Sequence, residues 1–326
     1  MRKTHSGDMH IGDVEVVKVL EWEGEIAPAR TIVPSPPELW QDNARWLAPD
    51  HWNPDTGGYR GTVQTWVLRS EGRVILVDTG VGNDRQRPQI PLFDHLTTDF
   101  LDRLADAGVR PGDVDVVVNT HIHYDQVGWN TLLRNGEWVP TFPNATYLIP
   151  RVDQTYFDPR NAHRRPAPRT EHDQLRREGS LLVYADSIAP VLGKAVLWEG
   201  NHRIDRNLTL EPAPGHTPGS SVVRLASGGE RAVFVGDLLH SPVQILEPRH
   251  SSCFCEDAQQ AAVTRRRVLE RAADNRELVI PAHFAGPGAA EVERDGSRFA
   301  IRRWAGDGQK SRSSASKASS TAGPSV

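Results

Sequence analysis

The sequence predicts an α/β fold, and three observations carry the prediction. Val114, Val116, Val117 and Val118 form a short β-branched run of the kind buried on both faces of a sheet. Directly before it, residues 93–107 place Leu96, Phe100, Leu101 and Leu104 at helical spacing, with Gly108 as a C-cap. Before that, Thr62–Arg69 and Arg73–Asp78 flank the turn Ser70-Glu71-Gly72 as a hairpin. Strand, helix and strand at this spacing indicate an α/β layer.

Composition narrows the class. The chain has 326 residues, 38% hydrophobic and 25% charged, which is a soluble globular profile with room for one large domain or two small ones. Lys+Arg number 38 and Asp+Glu 42, a net charge of −4, so no basic excess points to nucleic acid. No stretch approaches the ~18 apolar residues that span a membrane, and the first ten residues lack the apolar region of a signal peptide. A cytoplasmic protein is expected. Cys253 and Cys255 are too close in extended chain for an ordinary disulfide, and no second pair completes a structural metal site, so buried free thiols are expected.

Taken in order, Val14–Trp22 reads as a first strand. Residues 27–61, rich in Pro, Gly and Trp, carry Trp40, Trp46 and Trp52 without periodicity. Such a segment is either an aromatic flap or dimer arm, or a long loop stapled to the body by its Trp side chains. After the central strand, Ala145–Ile149 is another strand. Residues 151–180 are polar and Arg-rich and read as a solvated insertion with a partly helical end. His163 and His172 within it are not expected to bind metal, and a lid meeting an anionic substrate is conceivable there. Ala195–Glu199, Leu208–Glu211, Val222–Leu225, Ala232–Val235 and Leu278–Ile280 are strands. Residues 256–275 form an amphipathic helix with Ala261, Val268, Leu269 and Ala272 inward and Asp257 as N-cap. From about Gly306 the chain is a Ser/Ala/Lys tail too polar to pack, expected to be disordered.

The chemistry-bearing residues follow strand ends. The central strand delivers His121, His123, Asp125 and Gln126 within six residues. Imidazoles two apart in extended chain point the same way, and two imidazoles with a carboxylate suit a borderline divalent metal such as zinc. A solvated His pair is the alternative for an isolated H-x-H. The feeding strand, the nearby Asp and the downstream partners argue against it. Those partners are His216 in the tight GHTPG loop, Asp237 after Gly236, and His283 after Pro281-Ala282. Asp78, at another strand end, supports the site or the loop that follows.

This order of motifs resembles the metallo-β-lactamase superfamily over residues 14–305, with its H-x-H-x-D-H segment, a His in a GHTPG-like loop, an Asp after Gly and a late His. The resemblance implies an αββα sandwich, here a single domain over residues 1–305 with the 27–61 arm, the 151–180 insertion and the 306–326 tail. It implies one metal site from His121, His123 and His216, a second from Asp125 and His283, and Asp237 bridging. The GDLLHSPVQ run and the TRRRVL helix look like the branch holding lactonases, esterases and organophosphate hydrolases. One position departs: Gln126 stands where the family has a further His. An amide oxygen is a poorer zinc ligand than imidazole, so one tight metal and a second weaker one are expected. Zinc is the expected ion, with iron and manganese as alternatives.

The resemblance then implies a hydrolase acting on a lactone, ester or thioester of a small molecule. Zinc lowers the pKa of its water from about 15.7 to about 7, so hydroxide attack on a carbonyl becomes available at neutral pH. Asp125 would orient the nucleophile or carry a proton, with Tyr124 and His240 as candidate donors to substrate. For the latter two, packing or a loop hydrogen bond competes with catalysis as the explanation. The Trp-rich arm suggests an apolar or aromatic substrate, and a homodimer is conceivable. The same residues admit a non-hydrolytic lyase or cyclase. They also admit an iron persulfide dioxygenase using His121, His216 and Asp237, or a non-catalytic metal-binding protein.

Overall fold

The structure is a computed structural model that describes residues 9–305. The N-terminal octapeptide and the Ser/Ala/Lys tail lie outside the described residues. Two mixed sheets stack face to face. The first runs in the order Met9–Ile11, Val14–Pro28, Gly58–Ser70, Arg73–Val77, Val116–Val118, Thr146–Pro150, Ala195–Trp198, with Trp52–Asn53 paired to Gly58–Ser70. The second runs His202–Arg203, Leu208–Pro212, Ser221–Ser227, Glu230–Gly236, Leu278–Pro281, Ala290–Asp295, Arg298–Trp304. Three parallel pairs feed the site, Arg73–Val77 with Val116–Val118, that strand with Thr146–Pro150, and Glu230–Gly236 with Leu278–Pro281, while Leu208–Pro212, which leads into the His216 loop, is antiparallel to Ser221–Ser227. Parallel strands end at one edge, and ligand-bearing loops collect there.

Side-chain alternation builds the layers. Val116 and Val118 point between the sheets and pack with Val223, Phe234 and Ile280. Val117, on the opposite face, packs with Phe100 and Leu104 of helix Phe100–Asp106 and with Val183. On the far side, Val268, Leu269 and Ala272 of helix Ala258–Asn275 cover Val222, Val233 and Val279 of the second sheet. The order helix, sheet, sheet, helix is therefore the αββα sandwich. Asp257 caps the last helix by accepting from the Gln260 N–H at 2.8 Å, as its sequence position predicts.

Several expectations need correction. The predicted helix over 93–107 shrinks to Phe100–Asp106, and Leu96 lies outside it. A single 3₁₀ turn at Pro91–Phe93 and a left-handed residue at His95 interrupt the chain first. The 151–180 stretch is solvated over residues 159–178, none of which is buried, but not at its start. It folds as helices Arg151–Phe157 and Glu171–Val183, and Asp153, Gln154, Phe157 and Asp158 are buried. A reciprocal Thr170–Asp173 capping box starts the second helix. The Trp-rich arm staples rather than flaps: Trp40 and Trp52 are buried in a cluster with Leu47, Tyr59 and Val243. Cys253 is exposed, not buried, and Cys255 is half-buried.

Candidate metal centre

Two glycines set the approach of the ligand loops. Gly215 has φ +132, and a Cβ there would lie 2.2 Å from the Ala261 nitrogen. Gly236 has φ +51, and a Cβ would meet Thr120 Oγ1 at 2.8 Å. Each precedes a candidate ligand, so the conformation that only glycine adopts cheaply aims His216 and Asp237. The next loop is held by carboxylates. Asp78 accepts the Thr120 N–H at 2.8 Å and its hydroxyl at 2.9 Å, which is the supporting role its strand-end position suggests. Asp153 accepts from Ile122 N, Thr217 Oγ1 and Gly219 N at 3.0, 2.7 and 2.6 Å. It thus ties the His121–His123 loop to the His216 loop. Sequence reading missed Asp153, although it stands just past a strand end, as Asp78 and Asp237 do.

The structure brings His121, His123, His216 and Asp237 together. His121 Nε2 is 3.2 Å from His123 Nδ1, which is 2.9 Å from His216 Nε2. Asp237 Oδ2 stands 3.2 Å from His216 Nε2 and 3.6 Å from His121 Nε2. Four donors about 2.0–2.2 Å from a central zinc lie roughly 3.3 Å apart as edges of a tetrahedron, so the spacing fits the ion. The three rings meet edge to face, with centroids 4.6 to 4.7 Å apart.

A second cluster shares Asp237. His283 Nε2 lies 3.0 Å from Asp237 Oδ1 and 3.6 Å from Asp125 Oδ2. Its Nδ1 faces the Thr62 carbonyl at 2.7 Å, which makes Nδ1 the donor and leaves Nε2 bare for the site. Gln126 sits inside this cluster, its Nε2 2.7 Å from Asp237 Oδ1 and 3.3 Å from His283 Nε2. Turning the amide over would present Oε1 to the same point. His240 joins from the other side, with Nε2 3.4 Å from Asp237 Oδ2 and its ring stacked on Phe254. His240 Nδ1 is buried without a hydrogen-bond partner. Asp237, His240 and His283 form a second possible metal-holding group. Neither His163 nor His172 belongs to such a group among the described residues.

Burial and charge set the protonation of these groups. Burial holds the His121 and His123 imidazoles well below their usual range, so they present lone pairs. Burial also opposes charging His216, but Asp237 and Cys255 outweigh it and raise it to about 10. His283 likewise resists by burial and is raised to about 9 by Asp237 and Asp125. A metal held by His216 and His283 must displace these protons, so its binding weakens as pH falls. Burial, then the charge of Asp237, raises Asp125 to about 6. Asp237 resists ionisation by burial, but His283 and His121 hold it well below the carboxylate range.

A narrow cleft of about 70 Å³ opens on this centre. His123, Asp125 and Asp237 face it, and Tyr124, Phe157 and Phe254 are among its walls. Trp40, Trp46 and Trp52 do not line it, so the argument from the arm to an apolar substrate falls. His240 does not line it either.

A model of the metallo-β-lactamase superfamily matches residues 58–283. Among solved structures, the hydrolase AbOPH of the β-lactamase superfamily is 23% identical, with a TM-score of 0.73, covering 92% of this chain and 98% of that one. AidC, a dizinc quorum-quenching lactonase solved with a product, is 21% identical with a TM-score of 0.71, covering 90% and 95%. A probable metal-dependent hydrolase from Staphylococcus aureus is 16% identical with a TM-score of 0.69, covering 90% and 99%. At these identities the likeness is one of fold. No curated protein matches the chain.

Proposed function

Because the chain belongs to the metallo-β-lactamase superfamily, we propose that it is a cytoplasmic metal-dependent hydrolase that cleaves a lactone, ester or thioester of a small molecule. The observation that carries this reading is the convergence of the His121, His123, His216 and Asp237 donor atoms, with His123 and Asp237 facing the cleft. These four would hold one zinc tightly. Asp125, Asp237, His283 and the Gln126 amide oxygen would hold a second ion more weakly, because three of the four donors are oxygens. Oxygen donors suit a harder ion such as manganese better than zinc. When bound, the metal supplies an activated water and polarises a carbonyl.

The chain's own groups do the rest. Asp125, raised to about 6 by burial and by Asp237, gains and loses a proton near neutral pH and faces the cleft. It orients the attacking water and passes a proton to the leaving oxygen. Tyr124 lines the same wall with its hydroxyl held protonated, chiefly by burial, and donates to substrate oxygen. His240 acts indirectly, steadying Asp237 from beneath.

Hydrolysis in ¹⁸O-labelled water of a panel of lactones, aryl esters and thioesters tests the reading. One labelled oxygen in the product acid is expected. Unlabelled product would instead indicate a lyase or cyclase.

A further inference from the structure

We propose that the outer end of the cleft recognises a carboxylate on the far side of the substrate, with Arg165 as its anchor. This rests on the hydrolase reading for the chemistry at the inner end. Arg165 lines the cleft and is half-buried. Its guanidinium lies 4.7 Å over the Tyr156 ring and 5.0 Å over the Phe157 ring, and Nη1 donates to Ser180 Oγ at 2.8 Å. Ser180 in turn donates to the Arg177 carbonyl at 2.7 Å, so the fork is held in place before anything binds. Among the described residues no carboxylate forms an ion pair with it. A guanidinium that is oriented, stacked and left without an anion is built for a planar two-oxygen partner.

The neighbouring cation is already matched. Arg176 also lines the cleft, but it donates to the Cys253 and Phe254 carbonyls at 3.3 and 3.1 Å and lies 3.6 Å from Glu256. Among the described residues that line the cleft, Arg165 is then the positive charge without an ion pair, which suits a singly charged carboxylate better than a phosphate dianion. The distance to the reaction centre is short. Phe157 bridges the two ends, 5.0 Å from the Arg165 guanidinium and 6.0 Å from the His123 ring. The wall between them is apolar, with Ile122, Phe157 and Val183. The substrate class is therefore a half-ester, or a lactone acid, in which a short alkyl chain or one ring separates the scissile carbonyl from a carboxylate.

The test compares two esters of equal acyl length, mono-4-nitrophenyl glutarate and 4-nitrophenyl pentanoate, on the metal-loaded full-length protein. The carboxylate ester is expected to be preferred in kcat/KM by about tenfold, the scale of one charge-assisted hydrogen bond. Arg165→Ala should collapse that ratio through KM, Arg165→Lys should keep part of it, and rising salt should narrow it. Arg164→Ala removes an exposed charge outside this cleft and should leave the ratio intact. Hydrolysis of both esters without preference, or equal loss on both in Arg165→Ala, overturns the carboxylate proposal and leaves the hydrolase reading standing. If neither ester turns over, the lactone and thioester panel decides the hydrolase reading, and calorimetric binding of the same two esters decides the carboxylate proposal. Arg165-dependent preference for the glutarate ester supports the proposal, and equal or absent binding of the two overturns it.

Discussion

Asp125 and Gln126 are neighbours in sequence with separate tasks at the centre. Asp125 Oδ2 lies 3.6 Å from His283 Nε2, and Asp125 is not a member of the His121/His123/His216/Asp237 group. Asp125→Asn keeps shape and removes the proton-carrying group. It should lower kcat by about a hundredfold while the zinc content of the His121/His123/His216/Asp237 group holds near wild type. Parallel turnover and elemental analysis read the two quantities, and equal losses of both would refute this division of roles. The sequence made both residues visible because they lie in one six-residue run. The direction in which the Gln126 amide faces was not legible there, since it depends on Asp237 and His283, both more than a hundred positions away.

At the scale of elements, the site is a set of strand ends stitched by buried carboxylates. Asp153 sits in the first turn of helix Arg151–Phe157 and ties together the loops of His121–His123 and His216 without reaching the ligand atoms. Residues that orient ligands in this way are worth roughly 10–100-fold in metal affinity. Asp153→Ala should therefore weaken zinc retention by about that factor in competition with a chelator, and Asp153→Asn less. Unchanged retention with a lowered melting temperature would show Asp153 to be structural only. The element was hard to read because its buried face is polar: Asp153, Gln154 and Asp158 look like a solvated run until their partners are known. The strands Ala290–Asp295 and Arg298–Trp304 escaped for a related reason. They form a partly exposed edge hairpin rich in charge, with few apolar positions to show a period of two.

The whole molecule carries a pH signature at a buried carboxyl outside the ligand groups. Glu21 is 2% exposed and accepts from Val81 N, Gly82 N and Trp129 Nε1. Burial nevertheless raises it from 4.5 to about 7. A carboxyl whose folded pKa lies above its unfolded one stabilises the fold most at low pH. That contribution is present below about 4.5 and is lost as pH rises to about 7, by roughly 3 kcal/mol in all. Glu21→Gln should remove this slope. The difference in unfolding free energy between wild type and variant should shift in favour of the variant between about pH 5 and about pH 8. A constant difference across that range would mean that Glu21 titrates normally. At this scale the sequence was most legible. The β-branched run at Val116–Val118 marked the central strand, and the order of the four strand-end motifs carried the family resemblance that implied the two-sheet sandwich and the ligand set. What stayed hidden was the cleft wall, because Arg165 and Phe157 acquire meaning only when helix packing sets them beside His123.

Elemental analysis of the full-length protein, purified without added metal, tests the central claim most directly when set beside Gln126→His. The account predicts about one tightly held zinc per wild-type chain, with a second ion retained only at higher free metal, and about two zinc ions per chain in the variant. A wild-type protein that retains no divalent metal, or two zinc ions as firmly as the variant, would contradict it.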